Sequence, residues 1–224
     1  MKRAGKVIEG VYERVMKVAE PGMRKNDLVA EIMHAGAQGH QGHYGDYTSF
    51  VPLIGAGDEA AACHMTWNDQ QLNNDEGMFL ELAGAYARYH CPCSRTLFLG
   101  NPPQKYLDIE KVISECIENA ISMFKSGNTC AEISDNFTAT LNKYGYEKNN
   151  RCGYPIGLSY PPDWGERTMS LRGPDQTILK ENMTFHFMPA IWFDDWGFEM
   201  TESIRVGENG GECLSKVPRQ LLVK

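Results

Sequence analysis

The sequence predicts an α+β fold built from two similar halves, at about 1–105 and 106–224, each with two helices followed by an antiparallel sheet. Three observations support this prediction: a weak internal repeat, apolar residues at helical spacing early in each half, and strand-like segments after them. A chain of 224 residues, 42% of them apolar and 23% charged, has a globular composition and can bury a substantial core as a single domain.

The repeat has a constant offset of 105 residues, at which Lys6-Val7-Ile8 recurs as Lys111-Val112-Ile113. The same offset aligns Glu81 with His186. A duplicated unit predicts two halves related by a pseudo-twofold axis, with helices covering one face of the sheets. The opposite face would hold a site between the halves, and Glu81 and His186 would both lie near the axis.

Helix and strand signals recur in the same order in each half. Val7, Val11 and Val15 have helical spacing, and a second helix is predicted at 26–35. In the second half the second helix is predicted at 129–144, where Thr129-x-x-Glu132 has the pattern of a capping box. We predict a hairpin turn at Gly84-Ala85 and strands at 49–55, 78–83, 86–99, 151–159, 183–190 and 198–206.

Charge and cysteine content exclude several classes of protein. The net charge of −7 argues against a general nucleic-acid binder, and no apolar stretch reaches the length of a membrane span. Seven cysteines do not suggest a disulfide framework, because the count is odd and the chain is long. Reduced thiols in the cytoplasm are the simpler interpretation. We expect a small-molecule substrate, with neither nucleic acid nor membrane as a partner.

Two carboxylates and one histidine are candidates for catalysis. Glu81 and Glu202 each lie in an apolar, strand-like segment, where a carboxyl group would lose solvation and its pKa would rise. Strand alternation leaves both orientations open for each of them, into the site or away from it. His64 has the chemistry of a general base, although a single histidine beside a loop is more often structural or exposed.

Two segments of the second half, 160–166 and 192–199, combine aromatic rings with carboxylates. Together these groups attract a small cation. The alternative is that they are surface turns that contain buried tryptophans. If they form a pocket, its candidate substrate-binding residues are Tyr160, Asp163, Trp164, Trp192, Asp194, Trp196 and Glu199, with His186 beside Glu81.

His90-Cys91-Pro92-Cys93 has residue types that bind metal ions or undergo redox chemistry. No second ligand pair of matching spacing accompanies it, and small apolar side chains packed in a core are the favoured explanation.

The ribbon from Glu81 to Thr96 resembles the pita-bread family of creatinases, prolidases and methionine aminopeptidases, whose metal-binding members carry D-x-G-A-x-Y-x-G-Y-x-S-D-x-T-R-T here. The resemblance covers nearly the whole chain and implies the pita-bread fold. Five residues hold two metal ions in those members. The corresponding positions here are Glu81, Pro92, Tyr154, Met188 and Glu202. Since proline and methionine cannot supply hard oxygen ligands, the resemblance implies the metal-free, creatinase-like branch, with no metal site and no cofactor.

Within that branch, the loops 157–166 and 192–197 are most similar to those of ectoine hydrolases. This likeness implies a metal-independent hydrolase that opens a small cyclic amidine, with ectoine converted to N-acetyl-diaminobutyrate. Glu81 would attack the amidinium carbon or position the attacking water. His64 would act as base and then acid, and Glu202 would hydrogen-bond the amidinium.

The alternatives to this function are a creatinase-type amidinohydrolase, an Xaa-Pro peptidase-like enzyme and an inactive binding module. Full-length relatives also carry an N-terminal domain, which we expect to be absent from this chain. The full-length protein would be a homodimer.

Overall fold

The computed structural model describes all 224 residues. The four helices are α1 (Lys2–Val18), α2 (Lys25–Gln38), α3 (Gln104–Met123) and α4 (Cys130–Lys143). The ten strands are β1 (Leu53–Ala56), β2 (Glu76–Tyr86), β3 (Tyr89–Leu99), β4 (Gly153–Pro155), β5 (Thr184–Phe187), β6 (Ala190–Trp192), β7 (Gly197–Glu199), β8 (Glu202–Arg205), β9 (Glu212–Cys213) and β10 (Leu222–Val223). Two helices followed by strands therefore occur twice along the chain, as predicted.

The first sheet has the strand order β1-β2-β3-β10. β1, β2 and β3 are antiparallel, whereas β10 from the end of the chain runs parallel to β3. Helix α1 packs on this sheet through one apolar stripe that includes Val7, Ile8 and Val15, and α2 packs against α1. The sheet is therefore antiparallel except at the β3–β10 edge.

The hairpin between β2 and β3 turns at Ala87 and Arg88, not at Gly84-Ala85 as predicted. Both turn residues have left-handed backbone angles, with φ of 49° and 66°. Gly84 lies inside β2 and is required for packing, because a Cβ there would lie 2.2 Å from the carbonyl oxygen of Ala4 in α1. The glycine marks a close approach between helix and strand, which the sequence alone does not distinguish from a turn.

The second half forms a sheet of order β4-β5-β8-β9 and a separate β6–β7 ribbon, both antiparallel. Helices α3 and α4 pack against each other and against these strands in a second apolar core. The predicted capping box is confirmed: the Thr129 hydroxyl accepts from the backbone N–H of Glu132, and the Glu132 carboxylate accepts from the N–H of Thr129. The cap explains why α4 begins where it does.

The two halves join where β3 meets β7 and β8. The N–H of Ser94 donates to the Thr201 hydroxyl at 2.7 Å, and the N–H of Glu199 donates to the Thr96 hydroxyl at 2.8 Å. These side chain–backbone bonds connect the two sheets without a continuous ladder. The strands from both halves consequently face one shared cavity.

Most predicted strands of the second half are shorter than the sequence indicates. The predicted strand 151–159 is reduced to β4, and 183–190 and 198–206 are each divided at a break that includes Met188 or Met200. The predicted strand 49–55 is displaced to β1. All seven cysteines are free thiols, and no helix combines the length and apolar character needed to cross a membrane.

Candidate active site

A cavity of about 860 Å³ lies between the two halves. It receives side chains from both sheets, from the loop before β4 and from the loop after β4, so it can form only when the halves are assembled. Its lining residues include Phe50, Cys63, His64, Glu81, Ser94, Asp135, Lys148, Arg151, Tyr154, Asp163, Trp164, Arg172, Met188, Trp192, Glu199 and Thr201.

Two buried carboxylates face this cavity. Glu81 on β2 is 6% exposed and Glu199 on β7 is 2% exposed. Burial raises the pKa of both carboxyl groups, and the Glu199 charge raises the pKa of Glu81 further. The Trp192 indole N–H donates to Glu199 at 3.2 Å, whereas no protein donor is bonded to Glu81. Glu81 is therefore the carboxylate left available for a ligand.

Lys148 is a site residue that the sequence analysis missed. Its ammonium group donates to the backbone carbonyl oxygens of Met188 at 2.9 Å and Ala190 at 3.1 Å, and lies 4.9 Å from the Trp192 ring. Burial lowers the pKa of Lys148 to about 8, although the charges of Glu199 and Glu81 favour its protonated form. Lys148 lies in a polar segment before β4, where nothing in the sequence separates it from a surface lysine.

His186 lies directly behind the cavity wall, as its repeat relationship with Glu81 predicts. Its Nδ1 is 3.0 Å from the Tyr154 hydroxyl and 4.0 Å from a Glu81 oxygen, and its Nε2 is 2.7 Å from the Thr201 hydroxyl. The Trp164 indole N–H also donates to Tyr154, at 2.9 Å. Burial, with the nearby charges of Arg151 and Lys148, lowers the pKa of His186 to about 3, so the ring is neutral.

His64 lines the cavity, as the sequence analysis requires of a general base. Its backbone has the left-handed φ of 60°, and its ring centroid lies 5.8 Å from that of Phe50. The residue is exposed, on the segment that follows the short 3-10 helix Gly57–Ala61. An exposed position at the cavity margin lets the imidazole exchange protons with solvent and with a bound ligand.

The two aromatic–acid segments are only partly in the cavity. Asp163, Trp164, Trp192 and Glu199 line it. Tyr160 does not: its ring is 58% exposed and stacks 4.9 Å from the Arg88 guanidinium.

Trp196 and Asp194 also lie away from the cavity, contrary to the sequence prediction. The Trp196 ring packs in the core of the second half, stacked on Phe193 at 4.4 Å and beside Tyr106. Asp194 lies exposed in the tight β6–β7 connection. Strand alternation in this short ribbon directs Trp192 toward the cavity, and the turn directs Trp196 to the opposite side.

Glu202 does not line the cavity, although the sequence analysis expects it to contact substrate. It lies 1% exposed on the opposite face of β8, where its carboxylate bonds the Arg95 guanidinium at 2.6 Å. Burial raises the pKa of Glu202, and the Arg95 charge opposes that rise. Thr201, one residue earlier, presents its side chain to the cavity instead.

Two arginines that line the cavity were also missed by the sequence analysis. Arg151 and Arg172 line it, and neither forms an ion pair with a carboxylate of the chain. The Arg151 guanidinium lies 4.5 Å from the Tyr154 ring centroid. The cavity thus combines carboxylates with guanidinium groups that have no anionic partner, and this charge pattern fits a ligand carrying both signs.

The residues of this cavity do not fit a dinuclear metal centre. No group of three or more histidine, cysteine, aspartate or glutamate side chains converges on a common point. Tyr154 and Met188 line the cavity at two of the five positions where the family resemblance leads one to expect metal ligands, and they are poor ligands for a hard divalent ion.

The motif around His90 also packs as core. Cys91 and Cys93 are fully buried, and burial raises the pKa of Cys91 to about 12. His90 Nε2 accepts from the N–H of Ser49, and its Nδ1 lies 2.9 Å from the Arg88 carbonyl oxygen. Both ring nitrogens therefore have hydrogen-bond partners within the protein.

Residues 1–209 match the model of the metallopeptidase family M24. The chain belongs to this family. Its four helices and sheets have the pita-bread architecture, which agrees with the sequence prediction.

Among curated proteins, the chain is 49% identical to an ectoine hydrolase from Halomonas elongata, over 100% of this chain and 58% of the relative. It is 25% identical to an Xaa-Pro dipeptidase from Pyrococcus furiosus, over 78% of this chain and 49% of that relative. The chain therefore spans about half to three-fifths of the length of these relatives.

Solved structures show the same fold at low sequence identity. An X-Pro aminopeptidase from Thermotoga maritima superposes with a TM-score of 0.86 at 20% identity, over 100% of this chain and 62% of that chain. An Xaa-Pro dipeptidase from Bacillus anthracis superposes with a TM-score of 0.88 at 21% identity, over 100% of this chain and 61% of that chain.

Proposed function

We propose that this chain is the catalytic domain of a hydrolase that opens a small cyclic amidine without a metal ion, and that ectoine is its substrate. The 49% identity to an ectoine hydrolase over the full chain supports the substrate. The charge pattern of the cavity supports it independently, because ectoine carries an amidinium and a carboxylate on one small ring.

The observation that carries the proposal is the pair of buried carboxylates, Glu81 and Glu199, in a cavity whose other residues do not fit a metal centre. A neutral peptide carbonyl is activated by a Lewis acid, whereas an amidinium carbon is already electron-poor. A cation entering this cavity would favour ionisation of Glu81, whose pKa is raised by burial and by the Glu199 charge. Arg151 and Arg172, which also line the cavity, would hold the substrate carboxylate.

In the proposed reaction, one water is added across a ring C–N bond. In one route Glu81 orients a water, His64 takes a proton from it, and the water oxygen adds to the amidinium carbon; the ring C–N bond then breaks as His64 returns the proton to the leaving nitrogen. In the other route a Glu81 oxygen adds to that carbon, and the ring C–N bond breaks as the imidazolium form of His64 gives its proton to the leaving nitrogen. His64 then takes a proton from a water whose oxygen adds to the same carbon, and the bond between Glu81 and the carbon breaks to release the carboxylate. Trp192 and Trp164 would contact the ring, and Glu199 and Asp163 would add negative charge near the amidinium.

The decisive experiment measures ectoine consumption by the purified chain and by its Glu81→Gln variant. Glu81→Gln should lose nearly all of kcat while its melting temperature does not fall. Retention of more than about a tenth of kcat, a barrier change below about 1.4 kcal/mol, would rule out a reacting role for Glu81. Trp196→Phe is the matched control, since this ring packs in the core outside the cavity.

Ligand and metal measurements separate the alternatives. Ectoine should raise the melting temperature of the chain, whereas creatine and an Xaa-Pro dipeptide should not. A shift with creatine alone would indicate a creatinase-type enzyme, and no shift with any of them would favour a binding module. Metal analysis should find well below one equivalent of manganese, cobalt or zinc, and a chelator should leave turnover unchanged.

A further inference from the structure

The hydroxyl groups of Tyr154 and Thr201 are connected by the fully buried ring of His186. Both hydroxyls also line the cavity. Each receives one further hydrogen bond from a group that can only donate: the Trp164 indole N–H for Tyr154, and the Ser94 backbone N–H for Thr201. These fixed donors make it possible to deduce where the remaining protons point.

A neutral imidazole has one N–H donor and one acceptor nitrogen, and a hydroxyl has a single proton to donate. If the proton of His186 is on Nδ1, Tyr154 accepts from both Trp164 and His186, and its own proton must point elsewhere. Thr201 then donates to Nε2. If the proton is on Nε2, the roles are exchanged and the Thr201 proton is left over. In either case one hydroxyl is left to donate toward the cavity.

The position of Glu81 selects between these two arrangements. A Glu81 oxygen lies 4.0 Å from Nδ1 of His186, on the side of Tyr154, and no protein group donates a hydrogen bond to it. At a pH above the raised pKa of Glu81, a bare lone pair on Nδ1 would face the ionised carboxylate unfavourably. An Nδ1–H dipole favours that carboxylate, and it also leaves the Tyr154 proton free to point toward it.

We propose that His186 is a positioning residue that acts through Tyr154. As the Nδ1–H tautomer, together with Trp164, it fills the acceptor sites of the Tyr154 hydroxyl and forces the tyrosine proton into the cavity. Tyr154 then donates a hydrogen bond to the substrate atom held against Glu81, or to Glu81 itself. The role in turnover rests on the proposed function, whereas the tautomer and the direction of the proton do not.

The tautomer is tested without any substrate, by nitrogen NMR of the chain labelled with ¹⁵N-histidine at a pH above the raised pKa of Glu81, with His186→Asn used to assign the signal. We expect protonated Nδ1 and bare Nε2. A protonated Nε2 would overturn the proposal, because Tyr154 would then donate to the histidine and have no proton for the cavity. This measurement decides the proposal even if the chain does not hydrolyse ectoine.

A double-mutant cycle tests the functional consequence. Tyr154→Phe and His186→Leu should each lower kcat for ectoine about 10²-fold, with KM changed less than about threefold, since one preorganised donor is lost. The double variant should be no slower than either single variant, because His186 acts through Tyr154. If the fold-losses in kcat of the two single variants multiply in the double variant, the two residues act independently and the proposal is wrong.

Two further variants separate positioning from simple stability. His186→Asn keeps a donor near the Nδ1 position and should recover at least about tenfold of the kcat lost in His186→Leu. Equal losses in the asparagine and leucine variants would overturn the positioning role. Tyr106→Phe is the matched control, because Tyr106 is a buried tyrosine outside the cavity, and its kcat should equal that of the unmodified chain.

Discussion

Replacing Glu202 by glutamine should destabilise the fold strongly and leave the chemistry of the cavity intact. Arg95 is fully buried, and its five N–H donors are all used: by the carbonyl oxygens of Ser94, Thr201, Val217 and Pro218, and by Glu202. The glutamine keeps an acceptor of similar shape. It removes the only buried charge that balances the guanidinium.

The expected cost follows from this burial. Leaving one partner of a fully buried ion pair without its counter-charge costs about 3–5 kcal/mol. For a chain of this length, each kcal/mol lowers the melting temperature by roughly 2–4 °C, so the expected fall is roughly 6–20 °C. Urea and thermal unfolding at neutral pH measure both quantities.

Glu212→Gln is the matched control. Its carboxylate also forms ion pairs, with Lys2 and Arg205, but these side chains are 35–68% exposed and such pairs contribute about 1 kcal/mol or less. If Glu202→Gln has the same melting temperature as Glu212→Gln but binds ectoine more weakly, the assignment of Glu202 to the face of β8 away from the cavity is refuted.

Three further predictions concern the cavity and its support. Because the raised pKa of Glu81 means that the folded chain binds its proton more tightly than the unfolded chain does, stability should fall as pH rises from the ordinary glutamate pKa through the raised one. Glu81→Gln should remove the contribution of Glu81 to this decline when melting temperature is measured from pH 5 to 9. If the melting temperatures of the variant and of the unmodified chain instead change in parallel with pH, the prediction is wrong. Trp192→Ala should weaken ectoine binding by about 1–2 kcal/mol in calorimetry, whereas Trp196→Ala should lower stability with no specific loss of affinity in the folded fraction. Thr129→Ala should cost about 1 kcal/mol in urea unfolding through loss of the α4 cap, and no change would show that Glu132 alone suffices.

Features that depend on local pattern or on the repeat could be predicted from the sequence. The helices follow from apolar spacing, and α4 begins at the predicted capping box. The proximity of Glu81 and His186 follows from the repeat alone, since equivalent strands of two related halves meet near the axis. Neither prediction needed knowledge of long-range contacts.

The orientation of Glu202 could not be predicted from the sequence because a strand has a period of two. A shift of a single residue moves a side chain to the other face, and the break between β7 and β8 changes the phase. The family resemblance implied that Glu202 contacts substrate, whereas Thr201 lines the cavity in the structure.

Lys148 could not be found because its burial depends on the loop before β4 folding under β6. Its amine is recognised there by two backbone carbonyl groups, and backbone groups carry no sequence signal. Arg151 and Arg172 could not be predicted as site residues for a related reason. They differ from surface arginines in lining the cavity without a carboxylate partner, and only the folded structure shows this.

The parallel pairing of β10 with β3 has a consequence for synthesis of the chain. Gly100 donates to the carbonyl oxygen of Lys224, and Lys224 donates to that of Phe98, so the last residues complete a sheet begun in the first half. During translation, that edge of β3 stays unpaired until residues 222–224 have been made. An emerging first half therefore exposes a long strand edge, and we expect nascent chains to be most prone to aggregate, and most dependent on chaperones, during this interval.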